Sequence, residues 1–95
     1  MPSPTFYLLT YDITDDKRRL KIAKIMESVG DRVQHSVFEA YLTPQELEKL
    51  LKRVTKVLAA KEDSLRIYQL CASCREKVRT EGQGKVTPPP GVMIV

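Results

Sequence analysis

From Thr5 to Asp12 the chain reads TFYLLTYD, a run of β-branched and aromatic residues that predicts a strand. Alternation puts Phe6, Leu8 and Thr10 on one face and Tyr7, Leu9 and Tyr11 on the other. Both faces are apolar or nearly so, and a strand of that kind is covered on both sides. It belongs at the centre of its sheet. Thr14 or Asp15 then caps a helix that runs to about Val29 and stops at Gly30. Ile22, Ala23, Ile25, Met26 and Val29 share one face of it, opposite Lys17, Lys21 and Lys24.

Arg32 to Leu42 has strand composition throughout but is long for one strand. It reads as two short strands or one bulged strand, broken near Ser36 or Glu39. Thr43-Pro44-Gln45-Glu46 is a capping box with proline at the first helical position. Leu47, Leu50, Leu51, Val54, Val57 and Leu58 follow at helical spacing, so a second helix spans Pro44 to about Ala60. Ser64 to Cys71 is another strand, and Arg75 to Thr80 reads as a short, charged edge strand. Gly82 to Gly91 is linker by composition, with a polyproline stretch at Pro88 to Pro90, before the apolar end Val92 to Val95.

The order β-α-β(β)-α-β predicts an α+β, ferredoxin-like sandwich, with two helices over one face of an antiparallel sheet. The first strand still needs cover on its other face. The simplest cover is a second copy of the chain, giving a face-to-face homodimer.

At 95 residues the chain is one domain with a modest core. No stretch approaches the roughly 20 apolar residues of a membrane span, and no signal-peptide pattern opens the sequence. A secreted protein is not expected, and two cysteines are too few for a disulfide framework. Net charge is +4, which permits a polyanionic partner without demanding one. Six aromatics and no tryptophan supply a base-stacking platform poorly.

Asp12 is the most informative residue, because a carboxylate ending an apolar strand is costly unless paired, hydrogen-bonded or metal-bound. Asp15 and Asp16 follow within a turn. Such a cluster suits Mg²⁺, which takes one or two carboxylates and keeps several waters; equally, Asp15 and Asp16 complement the helix dipole. Basic residues fill five of the eight positions from Lys17 to Lys24. Such a run marks a solvated helix face, yet Arg18, Arg19 and, at the next strand's start, Arg32 also suit bidentate phosphate capture. The stems of Arg18 and Arg19 can otherwise simply lie over the core rim. Cys71 and Cys74 form one C-x-x-C, too few ligands for zinc without a dimer. With no helix pattern starting at the pair, they read as incidental, at least partly buried thiols. His35, the lone histidine, reads as structural or surface, and Ser36 lacks the context of an acyl-transfer nucleophile.

Tyr11-Asp12-Ile13-Thr14-Asp15-Asp16, followed by Arg19 and the basic helix, and then Gly30-Asp31-Arg32-Val33-Gln34-His35-Ser36-Val37-Phe38-Glu39, resemble the CRISPR-associated protein two family. The second stretch looks like that family's G-x-R-V-Q-x-S-V-F-E signature. Coverage runs from about residue 5 to 80. The resemblance implies a ferredoxin-like homodimer in which Asp12 is the catalytic carboxylate, the two copies sharing a divalent ion, usually Mg²⁺. It implies activity or substrate contact for Tyr11, Arg19, Arg32 and Phe38, and a polar place near the cleft for Ser36. The family's second helical arginine is Lys21 here. The expected activity is metal-dependent cleavage of single-stranded RNA or double-stranded DNA. The alternative role is a DNA-binding bridge between dimers of the CRISPR integrase. Composition divides the chain into a ferredoxin-like domain, 1–81, and a linker with a C-terminal strand, 82–95, and the resemblance implies that this strand is exchanged onto the partner subunit and that the protein is cytoplasmic.

Overall fold

The structure, a computed structural model, describes residues 3–82, 84 and 86–88. Its elements are β1 (Thr5–Asp12), α1 (Asp16–Glu27), β2 (Asp31–Gln34), β3 (Val37–Leu42), α2 (Pro44–Thr55), β4 (Ser64–Leu70) and α3 (Ala72–Glu76). The four strands form one antiparallel sheet in the order β2-β3-β1-β4. β1 is central, as its two apolar faces require. This is the α+β, ferredoxin-like sandwich expected from the sequence.

Tyr7, Leu9 and Tyr11 of β1 face the helices and are buried with Phe38, Ala40 and Leu42 of β3. Ile22 and Met26 of α1 and Leu50 and Val54 of α2 close over them. The opposite face carries Phe6, Leu8 and Thr10, registered against Leu70, Tyr68 and Arg66 of β4. α1 and α2 leave that face open, α3 borders one end of it with Arg75 over the Tyr41 ring at 5.8 Å from the centroid, and Tyr68 is exposed on it. Phe6 is nevertheless enclosed, packed edge-on against Tyr41 with ring centroids 5.2 Å apart.

Both helix starts follow their sequence signals. The Asp15 carboxylate accepts from the Arg18 N–H at 2.9 Å, and Thr43 and Glu46 cap each other reciprocally. Gly30 brings the chain from α1 onto the sheet edge. A Cβ there would stand 2.5 Å from the Glu39 carbonyl oxygen, so the close approach to β3 of the residue just before β2 requires glycine.

Two elements differ from the expectation. α2 ends at Thr55 and not near Ala60, because the chain turns to let the Ala59 N–H donate to the Asp63 carboxylate at 2.9 Å. Val57 and Leu58 still pack on the core from that turn. The edge strand expected at Arg75 to Thr80 is absent: Ala72–Glu76 is instead the short helix α3, begun at Cys71. Cys71 and Cys74 are exposed, contrary to the buried or partly buried thiols expected. The strand at 31–42 is broken at His35 and Ser36, with a register shift between Arg32 and Gln34. Val92 to Val95, where strand exchange is expected, lie outside the described residues. Thr87, upstream of them, is held by its own subunit: it donates to the Glu39 carboxylate, and its carbonyl accepts from the Tyr41 hydroxyl at 2.9 Å.

Candidate nucleic-acid-cleaving site

β1 runs out of the core at Tyr11, leaving Asp12 exposed at the sheet's end, opposite Ser64 of β4. On the helix side Asp12 borders a depression of about 390 Å³ between the end of β1, the start of α1 and the β2–β3 turn. Arg19, Leu20, Arg32, His35 and Ser36 line it as well. On the other side Asp12 shares a shallower groove with Thr10, Ser64 and Arg66. One solvated carboxylate thus stands between two basic depressions.

The arginines are positioned differently from one another. Arg19 donates through Nη1 to the Ile13 carbonyl at 2.8 Å and through Nη2 to the Asp16 carboxylate. That tether holds the guanidinium beside the β1–α1 turn with 43% of its side chain still exposed, enough to meet a phosphate. Arg32 stands over the Phe38 ring, 5.2 Å from its centroid, with Glu27 at 3.8 Å. Phe38 is fully buried and lies beside Tyr11, ring centroids 6.2 Å apart. Phe38 therefore cannot touch a substrate; it supports Arg32 and Tyr11. Tyr11, also buried, donates its backbone N–H to the Ser36 carbonyl at 3.1 Å, and its hydroxyl lies 3.5 Å from the His35 carbonyl. These contacts fix the turn that forms the far wall of the depression.

Arg18 departs from the phosphate-capturing place considered for it. Its Nε donates to Asp63 at 2.8 Å and its Nη2 to Glu62 at 2.9 Å, so its guanidinium faces the turn before β4 and not Asp12. The Asp63 side chain has no solvent exposure. It also accepts from the N–H groups of Thr14 and Ala59. Arg18 foremost among these donors holds its carboxyl down to about pKa 2, and Asp63 raises the arginine in return. The pair is a strut between α1, the β1–α1 turn and β4.

Asp15 and Asp16 are likewise engaged, one as helix cap and one by Arg19, which leaves Asp12 as the free carboxylate of the three. Among the described residues no three His, Cys, Asp or Glu side chains gather as a metal site. A single exposed carboxylate still fits a cation that keeps most of its waters, as Mg²⁺ does, and a second copy would supply a second carboxylate. His35, Leu20 and Arg66 had no place in the sequence reading of the site. His35 and Leu20 lie in the depression because of the β2–β3 turn and the first turns of α1, and Arg66 because of the β1–β4 register. None of those placements has a local sequence signal.

The chain is thus a ferredoxin-like sandwich whose central strand ends in an exposed carboxylate flanked by arginines. The model of the family of CRISPR associated protein Cas2 matches residues 5–78, and the chain belongs to that family. It is 49% identical over 86 residues to the CRISPR-associated endoribonuclease Cas2 1 of Chloroflexus aurantiacus, covering 90% of this chain and 89% of that protein. The crystal structure of Streptococcus pyogenes Cas2 superposes with a TM-score of 0.72 at 36% identity, over 81% of this chain and 99% of that one. A chain of a partial Cas6-RT-Cas1–Cas2 complex superposes with a TM-score of 0.78 at 25% identity, over 96% of this chain and 99% of that one.

Proposed function

We propose that the chain is a metal-dependent endonuclease of the CRISPR spacer-acquisition machinery, cleaving phosphodiesters in single-stranded RNA or in double-stranded DNA. The carrying observation is Asp12, exposed at the end of the central strand between depressions lined by Arg19 and Arg32 and by Arg66. The name of the Chloroflexus relative, an endoribonuclease, supports the same activity here. In this reading Arg19 and Arg32 bind the phosphates flanking the scissile bond, and the His35–Ser36 turn sets the width of the cleft. Asp12 holds Mg²⁺ together with the Asp12 of a second copy. The cation, when bound, acidifies water and offsets phosphate charge.

The homodimer in this proposal uses the sheet face opposite α1 and α2, where half-buried Leu8 and exposed Tyr68 present an apolar surface that a second copy would cover. No described helix is long and apolar enough to cross a membrane, and the proposed role is cytoplasmic. The likeness to a chain of a Cas1–Cas2 complex favours a second role in the same protein, that of a DNA-binding adaptor docked to the CRISPR integrase subunit. The test is cleavage of RNA and duplex DNA with Mg²⁺ or EDTA, comparing wild type with Asp12→Asn. Metal-dependent cutting that the substitution abolishes supports the enzyme. Cutting that persists in the variant refutes it, and duplex binding without any cutting assigns the adaptor role.

A further inference from the structure

Cys71 is the residue that begins α3, and Cys74 is one turn further on, at the third helical position. Residues three apart on a helical turn are neighbours, and here the turn closes where the Arg75 N–H donates to the Cys71 carbonyl at 2.9 Å. Both are exposed. The Ser73 hydroxyl lies 3.2 Å from the Cys71 sulfur. A groove of about 430 Å³ opens beside Cys71, walled by Phe6, Tyr41 and Leu70 and bearing the Arg75 guanidinium. No helix pattern announces itself at the pair in the sequence, yet α3 starts at that point.

We infer that Cys71 and Cys74 are a redox-active dithiol that a small anionic disulfide of the glutathione class oxidises to an intramolecular disulfide. The groove admits the reagent and Arg75 faces its carboxylates. The Cys71 thiolate attacks one sulfur of the reagent, which leaves as one thiolate and joins Cys71 in a mixed disulfide. Cys74, deprotonated, then attacks the Cys71 sulfur, expelling the second thiolate and closing the ring. The protein loses two electrons and two protons, and the reagent gains them as two thiols.

The two thiols are unequal in the sense this sequence needs. Hydrogen bonds from Ser73, and then from the backbone and side chain of Cys74, lower Cys71 to a pKa of about 7, so it is half ionised near neutral pH. Cys74 is raised, chiefly by its hydrogen bond to Cys71. Ring closure stays within one turn of α3 and constrains neither the sheet nor α1 and α2, so the oxidised protein keeps its fold.

The test treats the native full-length protein with oxidised glutathione and reads intact and peptide masses. Wild type should lose two hydrogens and link Cys71 to Cys74 within one chain, with an unchanged far-ultraviolet spectrum. Cys74→Ser should retain glutathione on Cys71, and Cys71→Ser should react about tenfold more slowly. Iodoacetamide should label Cys71 first, with a half-point near pH 7. A mixed disulfide that persists in wild type, a link between chains, equal labelling of the two thiols, or a bound zinc ion that blocks both would each overturn the inference.

Discussion

Replacing Phe38 with leucine separates two roles that an aromatic residue in a nucleic-acid site can have, touching the ligand or holding the residues that do. Phe38 is fully buried, beside Tyr11 at 6.2 Å between centroids and beneath the Arg32 guanidinium at 5.2 Å. Leucine keeps most of the apolar volume but loses the ring. The aromatic pair contributes about 0.5–1.5 kcal/mol, and the partly exposed Arg32 cation over the ring about 0.5–1 kcal/mol. Phe38→Leu should therefore cost about 1–2.5 kcal/mol, lowering Tm by roughly 4–20 °C in a domain this small. Phe38→Ala adds a cavity and should cost about 3–5 kcal/mol, a large share of the total stability such domains have. Urea unfolding of wild type, Phe38→Leu, Arg32→Ala and the double variant measures the coupling directly. The expected coupling is about 0.5–1 kcal/mol, and binding of a phosphodiester duplex should show the same non-additivity. Fully additive effects on both stability and binding would refute the support role and leave Phe38 and Arg32 independent.

The Asp63–Arg18 strut makes stability depend on acid. The folded carboxyl titrates at about 2 against its ordinary 3.8, so the unfolded chain takes up the proton first as pH falls. The contribution is complete above 3.8 and fades towards about 2. Urea midpoints should decline across that window in wild type, while Asp63→Asn, weaker at neutral pH because Arg18 loses its partner, should show a flatter decline; parallel profiles would refute the strut. Nucleic-acid affinity should fall steeply with salt and depend little on sequence. Arg19→Ala and Lys24→Ala should each reduce the slope of log affinity against log salt by about 1, and tight binding that persists at high salt would contradict the electrostatic account.

The elements that carry the fold were legible because their patterns are long enough to express a period. β1 alternates over eight residues between two apolar faces, and α2 shows Leu47, Leu50 and Val54 behind a complete capping box. α3 is five residues long, too short to display a helical repeat, so its charged flank read as an edge strand. The β2–β3 break was visible, but not that its turn would carry His35 into the depression beside Asp12. Arg18 and Arg19 look alike in sequence. They part because Asp63, 45 residues from Arg18, claims one of them, and no local pattern announces a contact across that separation. Phe38 shows the reverse case: its place in a signature motif marked importance, and only its burial distinguishes support from contact.

The central claim is that Asp12 holds a divalent cation between two copies of the chain, and Mn²⁺ titration of the full-length protein, with free ion read by paramagnetic resonance, tests it without reference to activity. The account predicts one tightly held ion for every two chains. It predicts that Asp12→Asn abolishes this binding while light scattering still finds a dimer, because removing two facing carboxylates relieves repulsion and costs no stability. Undiminished Mn²⁺ binding by the Asp12→Asn protein would contradict it.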